Sequence, residues 1–183
     1  SFNESIQKAL RSLEVGFEGF DNVKETSSQK PLSKKNIITE LKKPVVDRVL
    51  LVAQALRFGK SIREIYNASK IDPWFIGQIN EIVKKEIEIK RKGLPKSALD
   101  FQYIKSMGFS DKKLAQLVST KSENIFQIRN KLKVFPDFKR IDTCAAEFKS
   151  LTPYMYSTYK KNDITNKFCE SKPSNRKKVI ILG

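Results

Sequence analysis

From Ser1 to about Leu132 the chain is divided, segment after segment, by the residues that start and stop α-helices. Ser1 followed three positions on by Glu4 has the form of a capping box. Phe2, Ile6, Ala9, Leu10 and Leu13 then recur at helical spacing up to Gly16, which predicts a closing stop there. Ser61 with Glu64 repeats the capping-box signal before SIREIYNASK. Asp72 as N-cap and Pro73 at the first helical position open a long helix that runs to about Lys92, where Gly93 and Pro95 block it. Ser33 is placed to cap a short helix carrying Ile37, Ile38 and Leu41. Pro44 suits the first turn of the next helix, whose apolar positions Val45, Val49, Val52, Ala53 and Leu56 end at Gly59. Three more helices follow at about 97–107, 110–118 and 122–133, each opened by a serine. Residues 17–32 read as a loop or arm. No stretch before residue 134 has a convincing strand pattern. The expected fold class is all-α.

An internal echo strengthens that expectation. A shift of 49 residues places Gly59 on Gly108, Ser61 on Ser110, Ile65 on Leu114, Gln78 on Gln127 and Ile79 on Ile128. Each copy is a short capped helix, a tight turn and a longer helix, the helix-turn-helix arrangement. Such a unit can read DNA, but a reading face needs outward Arg, Asn or Gln. The second helices here offer Trp74, Phe75, Ile76, Ile79, Ile82 and Val83, then Ile125, Phe126, Ile128 and Leu132, which read as core residues.

The last third is different. Phe135, Pro136, Phe138 and Ile141 begin an extended segment, and Asp142 with Thr143 can cap a turn or short helix through CAAEF. In TPYMYSTY, Tyr154, Tyr156 and Thr158 alternate with Met155, Ser157 and Tyr159, as in a half-buried strand. Tyrosine pairs an apolar ring with a polar end, which suits a seam between domains. Val179 to Leu182, behind three cations and before Gly183, read as the first strand of a buried parallel sheet whose neighbours lie elsewhere.

KRIDTCAAEF (139–148), YMYSTY (154–159) and RKKVIILG (176–183), in that order, resemble the large chain of carbamoyl-phosphate synthase. FNESIQKALRSLEVG, from Phe2 to Gly16, is similar to the helix that closes the family's first synthetase half. IDPWFIGQINEIV, from Ile71 to Val83, is similar to its central helix. Gly19 to Lys43 aligns loosely, and the variable segment around Lys24 to Lys43 is richer in lysine than the family pattern. The resemblance implies this organisation: 1–16 ends the first synthetase half, and 17–133 is the helical oligomerisation domain. Next, 134–174 is a linker between domains, and 175–183 is a truncated strand of the second half.

The resemblance further implies a parent ligase making carbamoyl phosphate from bicarbonate, glutamine-derived ammonia and two ATP, for arginine and pyrimidine synthesis. ATP with magnesium or manganese would bind in the two synthetase halves, outside this segment, and the glycine-rich loop that would follow Gly183 is absent. The implied partners are the flanking halves, other large chains and a glutaminase small chain, in the cytoplasm. Self-association is assigned to Ile37, Ile38 and Leu41, and an inter-domain seam to Tyr154, Tyr156 and Tyr159. Two other classes stay open: a nucleic-acid-binding helix-turn-helix module and a freestanding interaction domain.

Residue types restrict the chemistry. The chain has no histidine, and its two cysteines, Cys144 and Cys169, lie 25 positions apart, which suits reduced thiols better than zinc or a disulfide framework. No phosphate-cradling glycine motif occurs. Carboxylates do not cluster: Asp142 and Glu147 are separated, and Glu86 and Glu88 point to different sides of their helix. The expected catalytic, cofactor and metal residues in this segment are therefore none. The net charge of +16 comes from 28 lysines and only 8 arginines spread along the chain. Phosphate and base readout favour clustered arginine, so a solvated basic surface fits better than a nucleic-acid partner. No apolar run approaches the roughly 20 residues needed to span a bilayer.

Overall fold

A computed structural model describes residues 1–23, 32–142, 147–148, 154–160 and 169–179. The chain divides into two compact units, Ser1–Val134 and Phe135–Gly183. Among the described residues the first unit holds eight helices: α1 (Phe2–Ser12), α2 (Ile37–Leu41), α3 (Arg48–Arg57), α4 (Ile62–Ser69), α5 (Pro73–Lys92), α6 (Ala98–Ser106), α7 (Asp111–Leu117) and α8 (Ser122–Lys131). The second unit holds two short strands, β1 (Asp137–Arg140) and β2 (Met155–Thr158). The helical reading therefore stands.

Helix α5 is the axis of the first unit and packs against α1, α3, α4 and α7. Its buried positions Ile76, Ile79, Ile82, Val83, Glu86 and Ile89 recur every three or four residues, so one stripe faces inward along the whole helix. Leu50, Ile65, Phe101, Ile104, Leu114 and Ile125 meet that core and are essentially excluded from solvent. Burying each such side chain contributes about 1.5–3 kcal/mol.

The two helix-turn-helix units are α4–α5 and α7–α8. Ser61 and Ser110 cap their first helices, each accepting the N–H of the residue three positions on. The echo extends into the backbone, since Lys70 and Ser119, 49 residues apart, take positive φ values of 59° and 55° after those first helices.

The Ser61 cap is a complete capping box. The Ser61 N–H and hydroxyl both donate to Glu64 Oε2 at 2.8 Å, and Lys60 lies 3.3 Å from Oε1. These contacts, led by the Ser61 N–H, hold the Glu64 carboxyl at about 2, below its ordinary 4.5. A depressed carboxylate stabilises the fold above the ordinary value, and that stability is lost as pH falls from about 4.5 through about 2. Ser61→Ala is expected to cost about 1 kcal/mol and to move the Glu64 titration part of the way back, because the backbone donor remains. Carboxyl chemical shifts followed against pH check both statements.

Several helix boundaries differ from the sequence reading. Helix α1 stops at Ser12, with Leu13 as C-cap and Glu14 at φ 56°, before Gly16. Pro44 does not start α3, which begins at Arg48. Arg48 anchors that start by donating from Nε to the Leu41 carbonyl at 3.0 Å and from Nη2 to the Ser69 carbonyl at 2.8 Å. Asn36, not Ser33, precedes α2, and Asn36 Oδ1 accepts the Ser33 N–H at 2.7 Å. Ser122 is the first residue of α8, so Lys121 occupies the cap position.

In the second unit β1 and β2 pair antiparallel, with Asp137 opposite Thr158 and Arg140 opposite Met155. The extended segments expected around Phe138 and Tyr156 are these strands. Glu170 lies beside β1: its N–H donates to the Phe138 carbonyl at 2.8 Å, and its carboxylate accepts the Arg140 N–H at 2.6 Å. Of the turn or short helix expected from Asp142 through Phe148, residues 143–146, Cys144 among them, lie outside the described residues, as do the strand residues 180–182. Val179 is exposed coil.

Candidate functional site

The densest constellation of charged groups surrounds Glu86, 2 % exposed on the inner stripe of α5. Arg57, from the end of α3, donates to Glu86 Oε2 through Nε at 2.9 Å and Nη2 at 2.7 Å, and also to the Phe20 carbonyl. Lys113, from α7, approaches Glu86 Oε1 at 3.4 Å, an ion contact longer than a hydrogen bond. The same ammonium reaches Asp21 at 2.7 Å and the Phe20 carbonyl at 3.3 Å. Phe20 itself is fully buried.

Residues 18–21 thus form a strap stitched to the end of α3 and to the start of α7. Lys112 and Ser110 hold the Glu18 carboxylate at 2.8 and 3.1 Å. A second buried cluster fixes the turn from α6 to α7. Lys105 donates to the Phe109 carbonyl at 2.7 Å and to Asp111 at 2.8 Å, and Arg129 of α8 takes the other Asp111 oxygen at 3.2 Å. Burial pushes the Lys105 ammonium below its ordinary range, with Asp111 opposing the shift.

Among the described residues no three His, Cys, Asp or Glu side chains are grouped to hold a metal ion. A cavity of about 300 Å³ beside the end of α5 is lined by Lys85, Glu88, Ile89, Lys92, Tyr103 and Ile104. Its two lysines both pair with Glu88.

The residues assigned to self-association divide. Ile37 and Leu41 are wholly buried, because positions four apart on one helical turn share the face that packs on α3 and α4. Ile38 is half-buried, and Val46, just beyond α2, is 100 % exposed. Of the seam tyrosines, Tyr154 and Tyr156 are largely exposed and Tyr159 is half-buried. Tyr156 sits opposite Lys139, and the Tyr154 carbonyl accepts the Ile141 N–H at 3.0 Å.

Four residues read as core lie elsewhere. Trp74 and Phe75, in the first turn of α5, are 55 % and 43 % exposed, and Phe126 and Ile128 of α8 are also open to solvent. In α8 only the faces of Ile125 and Arg129 turn inward. Helix α1 is reversed: its buried residues are Asn3, Glu4, Gln7 and Leu10, while Phe2, Ile6, Ala9 and Leu13 stay partly or largely exposed. The Glu86 network was also missed. Its one sequence signal was the register of Glu86 with Ile79, Ile82 and Val83, since nothing local points to Arg57 or Lys113.

Residues 1–133 match the family model described as carbamoyl-phosphate synthetase large chain, oligomerisation domain. Among curated proteins, the carbamoyl phosphate synthase large chain of Brucella melitensis biotype 1 is 47% identical over 183 residues. The Rhizobium meliloti large chain is 47% identical over 184 residues, and that of Pseudomonas aeruginosa 45% over 184. Each alignment covers 100% of this chain and 16% of the relative's length.

Proposed function

Because the chain belongs to the carbamoyl-phosphate synthetase large-chain family, we propose that it is the non-catalytic helical joint and self-association segment of such a large chain. The whole enzyme would make carbamoyl phosphate from bicarbonate, glutamine-derived ammonia and two ATP, in the cytoplasm, for arginine and pyrimidine synthesis. ATP and its magnesium or manganese would sit in synthetase halves outside this segment, where the glutaminase small chain would also join.

The observation that carries this reading is the Glu86 network. It fastens the 18–21 strap, and through it α1, to α3, α5 and α7 with buried charges. A joint must keep two catalytic bodies in fixed relation so that reactive intermediates pass without meeting bulk water. A helical block with internal ionic cross-links suits that task better than a flexible tether. Tyr154, Tyr156 and Tyr159 would supply the seam on the side of the second unit.

Self-association is assigned to the surface around α2. A charge at Leu41 would strike the core, so the informative variants are Ile38→Glu and Val46→Glu. In the full-length large chain each is expected to shift sedimentation toward smaller species with unchanged far-ultraviolet circular dichroism. An unaltered oligomer in both variants would remove this surface from the account.

A further inference from the structure

The last turns of α5 and the facing side of α6 do not close on each other. Gly93 ends α5 at a φ of +81°, and Pro95 bars continuation, so the chain leaves the helix axis before α6 begins at Ala98. The cavity of about 300 Å³ lies between these two helices, at the lower end of the sizes that hold small organic ligands. Its inner wall is apolar, because Ile89 and Ile104 are both buried there. Tyr103 lines it beside them and is still 54 % exposed, which leaves ring surface open to a ligand.

The polar side of the cavity is a carboxylate held between two ammoniums. Glu88 meets Lys85 at 2.5 Å and Lys92 at 3.2 Å, and Lys85 Nζ also stands 5.4 Å from the centre of the Tyr103 ring. These hydrogen bonds, that from Lys85 foremost, keep the Glu88 carboxyl below its ordinary range. Lys92 makes the longer contact and its side chain is 60 % exposed, so it can turn to another anion with little loss. Asp100 is engaged at the cap of α6, where it accepts the Ser97 hydroxyl at 2.6 Å. Residues 84–96 carry six cations and two carboxylates, and one of those carboxylates, Glu86, is buried against Arg57. The C-terminal dipole of α5, about half a charge, offsets only a small part of that excess. The local field favours an anion.

We propose that this pocket binds a small aromatic carboxylate, its ring against Tyr103, Ile89 and Ile104 and its charge at Lys92, beside the Glu88 carboxylate. Glu88 shows which group the two ammoniums accept. It also limits affinity, since a ligand must share Lys92 with it. The pocket is separate from the α2 surface and from the Glu86 network, so it does not depend on the joint assignment.

Benzoate titrated into the full-length large chain, with isoleucine δ-methyl groups labelled for NMR, tests this. The Ile89 and Ile104 signals, identified through Ile89→Val and Ile104→Val, are expected to move together and to saturate. Benzamide offers the ring without the charge and should bind about fivefold more weakly. Acetate offers the charge without the ring and should lose about tenfold or more. Tyr103→Ala should weaken benzoate about tenfold and Lys92→Gln about threefold, whereas Glu88→Gln should tighten it about threefold by releasing both ammoniums. That tightening separates a ligand site from a merely structural ion pair, whose loss could only loosen the pocket. Signals unmoved by benzoate, benzamide bound as tightly as benzoate, or weaker benzoate binding in Glu88→Gln would each overturn the proposal. None of these results alters the sedimentation expected of Ile38→Glu and Val46→Glu, so failure of the pocket and failure of the self-association surface are told apart.

Discussion

Glu86→Ala is expected to destabilise the helical unit by about 3–5 kcal/mol, the range seen when one partner of a buried ion pair is removed. The carboxylate is 2 % exposed, and its two cationic partners have side chains only 12% and 8% exposed. Deleting it leaves Arg57 and Lys113 in a low-dielectric interior with less opposing charge. Arg57 keeps the Phe20 carbonyl, and Lys113 keeps Asp21 at 2.7 Å, so the network would loosen instead of vanishing. Glu86→Gln preserves the shape and one acceptor and should cost less. Glu88→Ala, two residues along the same helix at a half-buried position whose carboxylate pairs with Lys85 and Lys92, should leave the stability close to that of the parent. Urea denaturation of the 183-residue chain ranks the three. The readout beyond stability is the strap: the Phe20 and Asp21 amides should exchange faster in Glu86→Ala and not in Glu88→Ala. A cost near that of Glu88→Ala would mean that the charges hold nothing in place.

The limits of sequence reading follow from which interactions are local. Caps act within four residues, so Ser61, Asp72, Gly93, Ser97 and Ser110 announce their helices and the structure places the same elements there. The alternation in YMYSTY is likewise local, whereas its pairing with residues 137–140 is not. Pro44 misleads because a proline compatible with a first turn does not require one; the start of α3 is chosen by Arg48 reaching carbonyls 7 and 21 residues away. Helix α1 misleads for a deeper reason. An apolar stripe predicts that something covers it, and the choice between this domain and another body is not written in the stripe. The same applies to Trp74 and Phe75, whose ring size suggests core while the register of α5 turns its buried stripe toward Ile76, Ile79 and Val83.

The self-association residues teach a related lesson. Ile37 and Leu41 are four apart and share a face, so burial of one implies burial of the other, whereas Ile38 projects elsewhere. A five-residue helix has too few positions for its pattern to separate core from surface. Contacts with α3 and α4 decide it.

Gly108→Ala is expected to cost about 2–5 kcal/mol, combining backbone strain with overpacking. Gly108 has a φ of +96°, and an added Cβ would stand 2.9 Å from Glu4 Cα, 3.1 Å from the Asn3 carbonyl oxygen and 3.1 Å from Gln7 Cβ. The obstructing atoms belong mainly to the backbone of α1, so relief requires moving the helix and stretching the Gln7 and Arg11 hydrogen bonds to Met107 and Gly108. Its counterpart in the repeat provides the control. Gly59 has a φ of +81° with nothing within 4 Å of a Cβ, so Gly59→Ala should cost only the strain of the left-handed conformation, about 1–2 kcal/mol. The difference between the two variants isolates the docking of α1 from the turn geometry that both glycines share. Hydrogen exchange gives the decisive reading, because α1 amides should lose protection in Gly108→Ala and keep it in Gly59→Ala. Equal costs with equally protected α1 amides would mean that the close approach at Gly108 does not hold this helix, and that its polar face is fastened by the side-chain hydrogen bonds alone.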